Sequence, residues 1–164
     1  MTDTQKLAIV IGISGSGKST FARHLEDEAE YLRICPDDIR KELTGDVSDQ
    51  SQNGRVWKTA YQRLTKALAD GRSVVFDSTA VRKKTRTELL AFAEQHHVQT
   101  IAYMLMDSLS KERCRDRVAA DLDGGIDRSN TLAKDVIIEK QHAMFLETVR
   151  SIETEGFDTV VRVG

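Results

Sequence analysis

Short apolar runs and amphipathic stretches alternate along this chain. Leu7-Ala8-Ile9-Val10-Ile11 is apolar at every position, which predicts a strand over about residues 6–12, buried on both faces. A Gly-rich turn follows, and Thr20-Phe21-Ala22-Arg23-His24-Leu25 then has the apolar spacing of a helix reaching about Glu30. Tyr31-Leu32-Arg33-Ile34-Cys35 reads as a short second strand, stopped by Pro36, after which residues 37–43 suit a helix. Residues 44–53 (TGDVSDQSQN) are polar and turn-rich and are expected to be a mobile loop. Val56, Ala60, Leu64 and Leu68 recur every fourth residue and mark the buried stripe of a helix over 54–70, ended by Gly71. Ser73-Val74-Val75-Phe76-Asp77 predicts a third strand closed by a carboxylate, and residues 82–97 a helix that is basic at its start. A fourth strand over 98–106 and a helix over 110–121 come next. A polar segment interrupted by Gly124-Gly125 leads to a long helix from 132 toward 155, capped by Gly156, and a fifth strand over 157–163.

Strands alternating with helices predict an α/β fold with a five-stranded parallel sheet sandwiched by helices. The 164 residues are enough for one domain with a full core, so residues 1–164 are read as a single domain without repeats or a low-complexity linker. Hydrophobic residues are 40% and charged residues 30%, ordinary for a globular chain. The net charge of −2 argues against a broad basic duplex-binding surface, but not against a local grip on one strand end. Cys35 and Cys114 lack metal-site spacing and are expected as buried, reduced thiols. The five-residue apolar run near the N-terminus is neither a targeting segment nor long enough to span a membrane, which implies a cytoplasmic protein with no membrane partner.

Gly12-Ile13-Ser14-Gly15-Ser16-Gly17-Lys18-Ser19 has the G-x-x-x-x-G-K-S spacing of a phosphate-binding P-loop, set between a predicted strand and a predicted helix. Glycines let backbone N–H groups converge on an anion, and the helix N-terminus adds partial positive charge. Gly12, Ser14, Gly15, Ser16, Gly17, Lys18, Ser19 and Thr20 are therefore expected to hold a nucleotide. Lys18 would reach the β- and γ-phosphates and Ser19 would offer its hydroxyl to Mg²⁺ or Mn²⁺.

Three further groups fall at strand ends, where sites in such sheets gather. A carboxylate at Asp37 could take a proton from an attacking hydroxyl, and Arg40, one turn later, has the fork to hold a phosphate on the acceptor. Helix capping by one of Asp37 and Asp38 is compatible with that role for the other. Asp77 matches the Walker-B pattern, reaching a metal through water, or alternatively orients Arg40; a strand-end turn is its ordinary alternative. Arg113, Arg115, Arg117 and Arg128 flank the Gly-Gly hinge of a candidate lid over about 113–131. Arg117 and Arg128 are the candidates for stabilising transferring phosphates, and Arg113 and Arg115 read as solvated. Arg82-Lys83-Lys84-Thr85-Arg86 puts four cations against a helix dipole, so Arg82 is a candidate contact for a strand backbone, with a solvated face as the ordinary reading. Trp57 and Tyr61 could stack on a base, but beside an apolar stripe they read first as core.

Together these residues resemble the 5′-hydroxyl polynucleotide kinases, the kinase module of end-healing enzymes in phages and bacterial RNA repair. The resemblance covers nearly the whole chain. It runs from GISGSGKSTFA through D-x-x-R (Asp37 to Arg40), D-x-T before a basic helix (Asp77 to Thr79), C-x-x-R (Cys114 to Arg117) and Val136-Ile137 to Glu155-Gly156-Phe157. It implies a P-loop phosphotransferase with a lid, using ATP or GTP with Mg²⁺ or Mn²⁺ to phosphorylate 5′-OH ends of DNA or RNA. By the same likeness Asp37 is the general base, Arg40 clasps the acceptor's 3′-side phosphate, and Arg117 contacts the donor phosphates. Functional association with a separate phosphatase and ligase is also implied. The chain departs from the pattern at Asp121, where a second lid arginine often stands; either Arg128 takes that role or Arg117 acts alone. A kinase of a small molecule (a sugar acid, nucleoside or antibiotic hydroxyl) on the same fold is the alternative. A nucleotide switch lacks an N-K-x-D guanine motif here, and a nucleic-acid motor would need a second lobe.

Overall fold

Five parallel strands form the sheet of this computed structural model, which describes residues 4–124 and 134–164. The strands are β1 (Lys6–Ile11), β2 (Leu32–Ile34), β3 (Val74–Asp77), β4 (Gln99–Leu105) and β5 (Thr159–Val163), in spatial order β2-β3-β1-β4-β5. The helices are α1 (Lys18–Ala29), α2 (Pro36–Thr44), α3 (Asn53–Ala69), α4 (Lys83–Gln95), α5 (Lys111–Asp123) and α6 (Lys134–Ser151). The expected α/β fold is therefore present, with each predicted strand and helix in its place.

The unbroken apolar run of β1 has its counterpart in position. β1 is the central strand, paired with β3 and β4, and Leu7 to Ile11 are fully buried. Alternate residues serve opposite faces. Ala8, Val10 and Val75 pack with Ala22 and, at the edge, Phe21 and Leu25 of α1. Leu7, Ile9, Ile11 and Phe76 pack with the Val56-Ala60-Leu64 stripe of α3, Leu89 of α4 and Ile138 and Phe145 of α6. Trp57 and Tyr61 flank that stripe and lie against Phe76, with ring centroids 6.0 and 6.4 Å away, so both rings are part of the packing.

Residues 44–53, expected as a loop, carry more regular structure than their composition suggests. Asp46 accepts from Ser48 N at 2.9 Å, and Asp49 caps a 3₁₀ turn over Gln50–Gln52 by accepting from Ser51 N. α3 then begins at Asn53. Short Asx hydrogen bonds can close turns that lack any apolar signal.

Parallel strands bring all their carboxyl ends to one edge. The loop after β1, the start of α2 after β2, the end of β3 and the turn after β4 therefore lie side by side.

Candidate active site

The loop from Gly12 to Gly17 is held by hydrogen bonds from several parts of the chain. Gly12 N–H donates to Thr79 O at 3.1 Å and Ile13 N–H to the Ser108 hydroxyl at 3.1 Å. Ser14 N–H donates to Oε1 of Gln141 at 2.9 Å, and Ser16 N–H to Ile13 O. Gly15 has φ +81°, and a Cβ there would lie 2.3 Å from the Cys114 carbonyl oxygen, so the loop rests directly on the backbone of α5. α1 opens at Lys18 without a side-chain cap, which leaves its first N–H groups turned toward the loop.

Two cavities flank this loop. The larger, about 650 Å³, is walled by Gly15 to Phe21 together with Asp107, Arg117 and Asp121. The smaller, about 150 Å³, is walled by Ser14, Asp37, Arg40, Trp57, Asp77 and Gln141, among others. Lys18 lines both. Its ammonium group can thus serve a phosphate that moves from one cavity toward the other.

In the smaller cavity, Pro36 at the first position of α2 sets the helix start, so that Asp37 and Arg40 share a face one turn apart. Nη1 of Arg40 meets Oδ1 of Asp37 at 2.5 Å, and its Nε and Nη2 both donate to Oδ1 of Asn53, at 3.2 and 3.1 Å. Arg40 is only 5% exposed. The predicted pair is thus assembled, and Asn53 holds the guanidinium in place.

Asp77 is also buried, but its cation is Arg33 and not Arg40. Arg33 Nε and Nη2 donate to Oδ2 of Asp77 at 2.9 and 2.7 Å, while Nη1 reaches Asp38 at 2.6 Å. The expected alternative in which Asp77 orients Arg40 is therefore corrected. In the β2–β3 register Arg33 lies opposite Val75, on the same face as Asp77. Oδ1 of Asp77 finds no hydrogen-bond partner among the described residues, nor do the hydroxyls of Ser78 and Ser16, and all three residues line the cavities. Buried polar atoms are nearly always satisfied, so unpaired oxygens at a cavity wall mark where a ligand or its hydration would bond. Such oxygens suit a hard divalent cation that keeps much of its water. Among the described residues no three His, Cys, Asp or Glu side chains gather as a protein metal site. Cys35 is sealed beside this network, where burial, with the Asp77 charge adding, pushes its thiol up to about 12.

In the wall of the larger cavity, Arg117 of α5 donates to Gly15 O at 3.0 Å and to Asp107 Oδ2 at 2.9 Å, which places it against the loop. Arg113 is an exposed partner of Asp107, in keeping with a solvated role, whereas Arg115, also expected as solvated, is half-buried with its Nε in the interior and its Nη2 paired with Glu139. Asp121 lines the cavity as an acidic residue. Arg128 and the end of the candidate lid lie outside the described residues.

The basic stretch before α4 divides in two. Arg82, Lys83 and Lys84 are exposed, and Arg82 lines neither cavity. Arg86 is 2% exposed and bonds both oxygens of Glu155, at 2.7 and 2.8 Å, together with Thr148 Oγ1 and Ala80 O, both at 3.0 Å. Arg86 is thus a core fastener, and the reading of the whole stretch as one solvated or strand-tracking patch is corrected.

Sequence reasoning missed Asn53, Arg33, Asp107, Ser108 and Gln141. One signal was available. Ile138, Gln141, Phe145, Thr148 and Ile152 follow a three-four spacing, so Gln141 and Thr148 are polar residues set into the apolar stripe of α6 and its extension.

A family model described as an AAA domain matches residues 7–161. A protein of Autographa californica nuclear polyhedrosis virus, described as a bifunctional polynucleotide kinase/RNA ligase, is 27% identical over 123 residues, covering 66% of this chain and 17% of its own length. Among solved structures, a chain of the Pnkp1/Rnl/Hen1 RNA repair complex is 22% identical with a TM-score of 0.76, matching 92% of this chain and 47% of that one. A fungal RNA kinase is 19% identical with a TM-score of 0.60, matching 100% of this chain and 77% of that one. These structural likenesses establish the fold. The chain spans less than half the length of the viral relative and of the repair-complex chain. Among the described residues no helix is long and apolar enough to cross a membrane.

Proposed function

This chain belongs to the AAA domain family, whose P-loop fold binds nucleotide, and from that premise we infer that it is a polynucleotide 5′-hydroxyl kinase. The carrying observation is that Lys18 is common to two cavities, one walled by the phosphate-binding loop and the other by Asp37 and Arg40. An NTP lies in the larger cavity with its β- and γ-phosphates on the loop. The 5′-OH of a DNA or RNA end enters the smaller one. Arg40 holds a phosphate on the acceptor, as a strand end would present one nucleotide in from its hydroxyl. The Asp37 carboxylate takes the hydroxyl proton, the oxygen attacks the γ-phosphorus, and the bond to the β,γ-bridging oxygen breaks, its electron pair leaving with the nucleoside diphosphate. Lys18 and Arg117 meet the charge that spreads over the transferring group. Ser19 and Asp77, the latter through water, would hold Mg²⁺ or Mn²⁺, which neutralises phosphate charge when bound.

The viral relative and the repair-complex chain support the nucleic-acid acceptor by their descriptions. The viral relative's description also suggests a ligase as the consumer of the product, since joining strands requires a 5′-phosphate end. The experiment follows γ-phosphate transfer from ATP and GTP to 5′-OH oligonucleotides, beside a panel of sugar acids, nucleosides and aminoglycosides. Transfer to the oligonucleotide is expected, lowered about 10²- to 10⁴-fold in Asp37→Ala. A wild-type protein that phosphorylates only small acceptors, or full activity in Asp37→Ala, overturns the reading.

A further inference from the structure

We propose that Gln141 is a catalytic residue of this site, whose carboxamide NH₂ donates a hydrogen bond to the phosphoryl group as it passes between the two cavities. The inference rests on the phosphoryl-transfer reading above. Gln141 occupies the buried stripe of α6 and is 8% exposed. Its Oε1 accepts from Ser14 N–H at 2.9 Å. A backbone N–H can only donate, so the amide oxygen must face the loop, and the orientation of the carboxamide is settled by chemistry. The NH₂ group is thereby turned away from the loop. No acceptor for it occurs among the described residues, and Gln141 lines the cavity that holds Lys18, Asp37 and Arg40.

The neighbouring amide sharpens the contrast. Ile13 N–H is tied by the hydroxyl of Ser108, which is fully buried and lines neither cavity. A short hydroxyl is enough to fasten this loop. At Ser14 the same task falls to a longer side chain that carries two further donors to the cavity wall. Of the cavity-lining loop residues, Ser14 belongs to the acceptor cavity alone, Gly15 to Gly17 and Ser19 wall the donor cavity alone, and Lys18 lines both. An NH₂ beside Ser14 therefore faces the gap that the γ-phosphoryl must cross. Arg40 and Lys18 there are donors, Asp37 is engaged with Arg40, and the open Oδ1 of Asp77 is the oxygen assigned above to a hydrated metal ion. Phosphoryl oxygens are the acceptors that the reaction brings.

Gln141→Glu separates fastening from donation. It keeps an oxygen for Ser14 N–H but replaces the NH₂ with an oxygen that repels phosphate. Two quantities are measured: kcat and KM for transfer to a 5′-OH oligonucleotide, and the Kd values of ADP and of a non-hydrolysable β,γ-imido ATP analogue. We expect kcat to fall about 10²- to 10³-fold, as for loss of one transition-state donor. We also expect ADP to bind within about threefold of wild type while the preference for the analogue over ADP is lost. A wild-type kcat, or an unchanged preference for the analogue, overturns the proposal and leaves Gln141 a fastener. Should Gln141→Glu not fold, Gln141→Met preserves volume without donors and is expected to lose the same preference, with retention overturning the proposal. A wild-type protein that fails to phosphorylate oligonucleotides refutes the acceptor assignment alone, because the two Kd values still decide the role of Gln141.

Discussion

Gly15 carries a constraint set by a residue 99 positions away in sequence, Cys114. Its φ of +81° favours glycine, and a side chain there would drive into the Cys114 carbonyl at 2.3 Å, which is backbone and cannot swing aside. Gly15→Ala is therefore expected to push the loop off α5, lowering affinity for ADP at least tenfold and stability by about 1–3 kcal/mol. Calorimetric titration and urea unfolding would measure the two effects. Gly17 has φ +90° but open space where a Cβ would stand, so its requirement is conformational only. Residues such as Lys18 and Ser19 are legible in sequence because the P-loop motif that contains them is contiguous. Asn53 and Asp107 were not legible. Their roles are to hold Arg40 and Arg117, and an asparagine 13 residues from one arginine and an aspartate 10 residues from the other have no local signature.

Arg86 and Glu155 join elements that the chain separates by 69 residues, binding the start of α4 to the 3₁₀ turn that follows α6. The two side chains are 2% and 4% exposed. Removing one partner strands the other charge in the interior, so Arg86→Ala is expected to cost about 3–5 kcal/mol in urea unfolding. The same pair predicts an acid transition. Burial tends to raise the Glu155 carboxyl, but hydrogen bonds from Arg86 and Ser151 and the charges of Arg86 and Lys83 outweigh it, and the group sits below its ordinary value of 4.5. A depressed folded-state pKa contributes stability that is complete above the unfolded value and is lost as pH falls through the folded one. Urea midpoints should thus drop more steeply below about pH 4.5 in wild type than in Glu155→Gln. At this scale the helices and strands were readable from apolar spacing, whereas the 3₁₀ turn at Gln50–Gln52 was not, because Asx capping leaves no hydrophobic period.

For the whole molecule, under the proposed function, a net charge of −2 and one buried arginine in the smaller cavity imply a short grip on a strand end. Each phosphate neutralised on a single strand contributes about −0.7 to the slope of log affinity against log salt, so a slope of about −1 to −2 is expected for a 5′-OH oligonucleotide. A slope near −5, read from KM between low and high salt, would indicate an extended basic track instead. Order and type of elements, the parallel sheet, the nucleotide loop and the Asp37–Arg40 pair followed from sequence alone, since each depends on contacts within a few residues or on a period along one element. Tertiary structure decided which cation meets Asp77, because the register of β2 against β3 brings Arg33 to it and leaves Arg40 to Asn53 and Asp37. It also turned Arg86 inward and set Gln141 against Ser14. These pairings depend on strand register and helix rotation, and both are fixed only when distant elements bury their apolar faces together.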